Sequence, residues 1–151
     1  MSAEHAVTQL SSDTLHASCV AIDGHAVLIE GPSGSGKSDL TLRLIDRGAV
    51  LVSDDYTLLL RRDGVLHASP PQTIRGQIEV RGIGIVELPF TQEAPVAAVI
   101  MIDPRPDRMP EPGSSRRIVG IDVPQFALPA LEASAPLKVE IALHQLLESR
   151  A

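Results

Sequence analysis

The stretch "GPSGSGKS", Gly31, Pro32, Ser33, Gly34, Ser35, Gly36, Lys37 and Ser38, is Gly-x-x-x-x-Gly-Lys-Ser set between an apolar run and a helix-like segment. Glycines at these positions let successive backbone N–H groups turn inward around a phosphate, and a helix N-terminus behind them adds partial positive charge. Lys37 then reaches terminal phosphates, and Ser38 offers a neutral oxygen to Mg²⁺. Asp54 and Asp55 follow Lys37 by 17 and 18 residues. A strand-loop-helix-strand unit can return them to the mouth of the loop, where one carboxylate can bind or orient Mg²⁺ and the other can accept a proton from an attacking hydroxyl; the alternative is a solvated turn after the strand. Glu79 and Arg81 share one face of a strand-like stretch by the two-residue period. They are either a surface ion pair or a second metal ligand with a phosphate clamp, and Gly82 and Gly84 beside them suit close backbone approach. His16 opens the first apolar run, where a lone histidine is either structural or a participant in proton traffic or phosphate binding.

The elements that must hold these groups can be read around them. "HASCVAIDGHAVLIEG" gives two strands joined at Asp23-Gly24, a hairpin signal, so the first two strands are expected as antiparallel neighbours. Leu40, Leu44 and Ile45 recur at helical spacing, with Asp39 early, Arg47 late and Gly48 as the C-terminal cap. A strand, the acidic pair, another strand and a hairpin at Asp63-Gly64 follow. Ile78 to Leu88 reads as one interrupted strand, and "PVAAVIMID" as a buried one. Residues 103–117, rich in Pro and Gly, are expected to be a mobile loop, and about 135–149 a C-terminal helix docked through Leu137, Ile141 and Leu147.

A chain of 151 residues, 44% hydrophobic, fits one domain spanning 1–151. Aromatics are 2%, so the core must be aliphatic, which suits α/β packing. The net charge of −6, without clustered Lys and Arg, lacks the footprint of a nucleic-acid binder. The longest apolar stretch, Ala94 to Ile102, is far short of the ~20 residues of a spanning helix. No leader pattern opens the chain, so a cytoplasmic protein without a membrane partner is expected. Cys19 is alone and cannot form an internal disulfide.

"GPSGSGKSDLTLRLIDRGAVLVSDD" followed by "IRGQIEVRGIGIVEL" resembles the catalytic domain of the HPr kinase/phosphorylase family, from about His16 to Leu88. The resemblance implies a mixed β-sheet with an embedded P-loop, like that of phosphoenolpyruvate carboxykinase, and helices packed on the sheet. It implies an enzyme that uses ATP and Mg²⁺ to phosphorylate a serine of HPr, the phosphocarrier of the bacterial sugar phosphotransferase system, and that can reverse this by phosphorolysis. By resemblance His16 is the catalytic histidine, Lys37 the phosphate-loop lysine, and Ser38 and Glu79 the magnesium ligands. Asp55, with Asp54 beside it, becomes the proton acceptor and donor. Arg81, Arg116 and Arg117 are the candidates for phosphate or HPr contacts.

The chain looks like the short form of the family without the N-terminal domain, and the family's long members form homo-oligomers. Those members carry a basic Gly-Arg-Asn segment tied to dephosphorylation. This chain reads "ALEASAPLK" after Pro129, so the kinase direction is the firmer expectation. Two other readings compete: a small-molecule P-loop kinase with Arg105 to Arg117 as its lid, and an ATP-sensing module without transfer. The hairpin ahead of the loop disfavours the first, because the usual small-molecule kinases begin with a parallel strand-loop-helix unit.

Overall fold

A computed structural model describes residues 11–105 and 113–150. The strands are β1 (Ser12–Leu15), β2 (Ser18–Ile22), β3 (His25–Glu30), β4 (Val50–Ser53), β5 (Thr57–Arg62), β6 (Val65–Ser69), β7 (Gln77–Val80), β8 (Gly84–Glu87), β9 (Ala94–Ile102), β10 (Ser115–Ile118) and β11 (Ile121–Leu128). Helix α1 is Lys37–Asp46 and helix α2 is Ala135–Arg150.

The Asp-Gly signals fold as expected. Asp23 and Gly24 have φ of 50° and 79°, Asp63 and Gly64 of 54° and 75°. Two consecutive positive φ values match the right-handed twist of the flanking strands, so β2 pairs β3 and β5 pairs β6, both antiparallel. Helix α1 ends at Gly48 (φ 110°), with Gly48 N–H bonded to Ile45 O and Ala49 N–H to Leu44 O. This left-handed stop satisfies two carbonyls that the helix leaves over.

The main sheet is mixed, in the order β1-β5-β6-β9-β3-β2-β4. Strand β9 runs parallel to β3, and its other edge is shared, with antiparallel β6 at its start and parallel β11 at its end. The order β3-β2-β4 decides where the chemistry sits. Because β2 is antiparallel to both neighbours, the end of β3, the end of β4 and the start of β2 all meet at one edge. Helices α1 and α2 cover one face through Leu40, Leu44, Val139 and Leu143, packed on Val20, Val27, Ile29 and Ile100. The other face, with Cys19, Leu28 and Val99, is closed by the sheet's own outer strands through Leu59, Leu66, Ile118 and Val123. Burial pushes the Cys19 thiol pKa up, so it stays a neutral core side chain.

Three expectations need correction. The strand-like stretch from Ile78 to Leu88 is a hairpin: β7 and β8 pair with Val80 opposite Gly84, around a turn at Arg81, Gly82 and Ile83. Gly82 (φ 86°) and Gly84 (φ 116°) turn the chain instead of interrupting one strand, so Glu79 and Arg81 do not share a strand face. The expected loop 103–117 gives way to β10 at Ser115, which pairs with β11 and buries Ile118; residues 106–112 lie outside the described ones. Helix α2 starts with Lys138 N–H bonded to Ser134 O, but it docks through Ala135, Val139 and Leu143. Leu147 packs at the edge of that cluster, while Leu137 and Ile141 face solvent.

Candidate active site

The glycine-rich loop leaves β3 at Gly31 and enters α1 at Lys37. Gly34 (φ 80°) and Gly36 (φ 103°) adopt left-handed conformations, and Ser35 N–H closes a turn onto Pro32 O at 3.0 Å. At Gly31 a Cβ would stand 2.6 Å from Ser35 Oγ and 3.0 Å from Ile102 Cβ. The loop therefore has no room for a side chain there. Lys37 is 7% exposed and its ammonium donates to Gly31 O at 2.8 Å, spanning the loop from its last residue to its first. Ser35 Oγ is buried without a hydrogen-bond partner among the described residues, and the N-terminal amides of α1 have no intrahelical acceptor. Inward amides, an ammonium and a spare hydroxyl form a set of donors fitted to an anion with several oxygens.

Beside the loop the two aspartates have different surroundings. Asp54 is 7% exposed, and its carboxylate accepts from Ser38 Oγ (2.9 Å), Ser18 Oγ (3.1 Å) and the Glu79 backbone N–H (3.0 Å). Three donors fix its orientation. The Asp55 side chain is 56% exposed, and its Oδ1 takes a 2.9 Å hydrogen bond from His16 Nε2. The His16 ring stacks on Tyr56, with centroids 4.9 Å apart. Asp55 is thus an open carboxylate held by one half-exposed partner.

Asp55 also has φ of 70°, and Tyr56 N–H bonds back to Asp54 O across it at 2.8 Å. This is the rarer, strained three-residue turn, and such strain persists where surrounding bonds over-determine it. Ser18 supplies one of them: its hydroxyl accepts from Asp55 N–H at 3.0 Å while donating to Asp54. A serine at the head of an apolar strand gave no sign of this in the sequence. The β2 position between β3 and β4 puts it between the two aspartates.

A cleft of about 970 Å³ joins these groups, with Lys37, Ser38, Asp54 and Asp55 on its floor and Glu79 and Arg81 from the β7–β8 hairpin on its wall. Among the described residues no cluster of three or more His, Cys, Asp or Glu forms a metal cage. The oxygens of Ser38, Asp54 and Glu79 nevertheless fit a hard divalent cation that shares its shell with phosphate oxygens and water. Arg116 and Arg117 lie elsewhere. Arg116 pairs with Glu30, the buried residue before Gly31, and Arg117 pairs with Asp122 at 3.0 Å on the surface. Another residue that the sequence did not flag is Arg43 of α1. Its guanidinium donates to the carbonyls of Glu132 (3.0 Å) and Ala130, fixing that segment against the loop.

A mixed α/β sheet carrying a glycine-rich strand-loop-helix turn, with two aspartates at the neighbouring strand end, defines an α/β domain whose cleft joins a donor-lined loop to carboxylates. Residues 8–93 match the family model described as HPr Serine kinase C-terminal domain, and the chain belongs to that family. An HPr kinase/phosphorylase from Clostridium botulinum (strain Eklund 17B / Type B) is 45% identical over 74 residues, 49% of this chain and 24% of the relative. One from Limosilactobacillus reuteri (strain DSM 20016) is 33% identical over 132 residues, 77% of this chain and 40% of the relative. The chain thus spans between a quarter and two fifths of the curated relatives it matches. The solved structure of the Hpr(Ser) kinase/phosphatase from Coxiella burnetii superposes with a TM-score of 0.77 at 32% identity, covering 91% of this chain and 99% of that one. No helix among the described residues is long and apolar enough to cross a membrane.

Proposed function

We propose that this chain is the catalytic domain of an ATP-dependent protein-serine kinase that phosphorylates HPr. The observation that carries this is the division of labour between the aspartates: Asp54 is locked by three donors, whereas Asp55 stands open at the cleft beside the phosphate loop. Family membership directs the reading to a protein serine as acceptor, and the antiparallel hairpin before the loop favours a phosphoenolpyruvate-carboxykinase-like P-loop setting over a small-molecule kinase.

In this reading the loop amides and Lys37 bind the β- and γ-phosphates and hold them in line with the acceptor hydroxyl. Ser38 and Glu79 would hold Mg²⁺, with Asp54 orienting Ser38 through the 2.9 Å bond. The bound ion would supply charge neutralisation on the phosphate oxygens. Asp55 accepts the serine proton, and His16, stacked on Tyr56, orients its carboxylate. Arg81 reaches into the cleft as the phosphate or HPr contact, since Arg116 and Arg117 are occupied by Glu30 and Asp122. Reversal by phosphorolysis would use the same carboxylate to protonate the departing serine oxygen. The segment after Pro129 offers no arginine for that direction, so the kinase step is the main activity proposed.

The test is incubation with ATP, Mg²⁺ and HPr from the same cell, with mass-spectrometric mapping of any phosphoserine. HPr left unmodified while a metabolite is phosphorylated would refute the proposal. Asp55→Asn is expected to bind ATP normally and to lose transfer by about 10²-fold or more, as for removal of a general base. Near-normal turnover would exclude Asp55 as the base.

A further inference from the structure

We infer that the nucleoside half of the phosphoryl donor occupies an apolar pocket on the outer side of the glycine-rich loop, gripped by shape and not by base-specific hydrogen bonds. The inference rests on the proposed function in taking the loop as the triphosphate site. The pocket has a volume of about 530 Å³, within the usual range for small-molecule sites. Pro32 and Ser35 of the loop form one wall, Ile102 and Pro104 at the end of β9 another, and Ala130 and Leu131 the third.

It adjoins the catalytic cleft, and Gly34 and Leu131 border both spaces. A ligand that is charged at one end and flat and apolar at the other would span the two, with Leu131 between its halves. Leu131 is 76% exposed, so its side chain has apolar surface free to contact a ligand between the two spaces. Its placement is enforced by the Arg43 guanidinium, which holds the carbonyls on either side of it. A Cβ on Gly36 would stand 3.1 Å from Leu131, so this wall lies directly on the phosphate loop.

The chemistry of the lining sets the specificity. Its polar side chains are those of Ser35, whose buried hydroxyl belongs to the donor set of the phosphate loop, and Glu132, whose carboxylate is already paired with Lys138 at 3.6 Å. Sites that reject near-isosteric ligands do so by leaving their own buried hydrogen-bonding groups unpaired; apolar walls discriminate by size. Adenine and guanine should therefore be held alike, and the smaller pyrimidines less well.

Calorimetry with wild-type protein, Mg²⁺ and, in turn, ATP, GTP, CTP and inorganic tripolyphosphate tests this. ATP and GTP are expected within about threefold of each other, and both about tenfold or more tighter than tripolyphosphate, with CTP between. Tripolyphosphate binding as tightly as ATP would overturn the pocket while leaving the loop in place, and binding of none of the four would remove both readings. A preference of about 100-fold for ATP over GTP would overturn recognition by shape. Pro104→Trp, which fills the pocket from its exposed rim, should weaken ATP about tenfold and leave tripolyphosphate within about twofold. Equal losses for the two ligands, or no change in either, would also overturn the assignment.

Discussion

Ser18→Ala is expected to damage stability and turnover together, by an amount that the geometry allows to be estimated. The hydroxyl is fully buried, donates to the Asp54 carboxylate at 3.1 Å and accepts from Asp55 N–H at 3.0 Å. A hydrogen bond to a charged group is worth about 1.5–3 kcal/mol, and an N–H stripped of its acceptor costs about 1–3 kcal/mol. Asp54 keeps its bonds from Ser38 and Glu79, and the Asp55 N–H lies near enough to the cleft for water to help, so both terms fall toward their lower ends. A net loss of about 2–4 kcal/mol follows, or about 4–16 °C in Tm for a domain of this size. The assay is denaturant and thermal unfolding of Ser18→Ala, Asp54→Asn and the double variant, with kcat and KM for each. The cycle should return a coupling of about 1 kcal/mol or more, as contacting residues do, and kcat should fall more than KM rises. A loss under about 0.5 kcal/mol, or a coupling of zero, would refute the idea that this hydroxyl ties the aspartates together.

Gly31→Ala should cost about 1–3 kcal/mol by overpacking against Ser35 and Ile102 and should weaken ATP by about tenfold or more, measured by calorimetry; unchanged ATP binding would mean that the loop yields more than its packing suggests. Cys19 predicts a pH effect. Burial raises the folded thiol pKa above its ordinary 9.0, so its contribution is intact below that pH and lost as pH rises above it, when the unfolded thiol alone ionises. Between about pH 8 and about pH 10 this removes about 1.4 kcal/mol, and Cys19→Ala should flatten that part of the profile in urea unfolding; superimposable profiles would refute it. Leu143→Ala, at the centre of the α2 contact, should cost about 2–5 kcal/mol, whereas the exposed Ile141→Ala should cost under about 0.5 kcal/mol; equal losses would contradict the docking face.

Features decided over a few residues were legible in the sequence. The Asp-Gly hairpins and the Gly48 stop are local conformational requirements, and they settle the course of β2, β3 and α1. The antiparallel β2 then explains why the acidic pair returns to the loop. Features decided by distant partners were not legible. Arg116 is drawn to Glu30 across 86 positions of sequence, and β10 exists because β11 pairs with it, not because its own residues demand a strand. Leu137 and Ile141 have the right spacing for a buried face but lie on the side of α2 that the sheet does not reach. The β7–β8 turn was misread although its signal was present, since two glycines at alternate positions serve a reversal as well as a bulge.

The left-handed backbone of Asp55 carries a wider consequence. Holding a non-glycine residue in a strained turn costs on the order of 1 kcal/mol, and the exposed hydrogen bond with His16 returns little of it. Glycine would sit there more comfortably and would carry no carboxylate. On the proposed role of Asp55 as the base, chemistry and heat tolerance therefore pull on this position in opposite directions. A library of variants sorted only for survival at high temperature should drift toward glycine at 55, becoming sturdier as it falls silent.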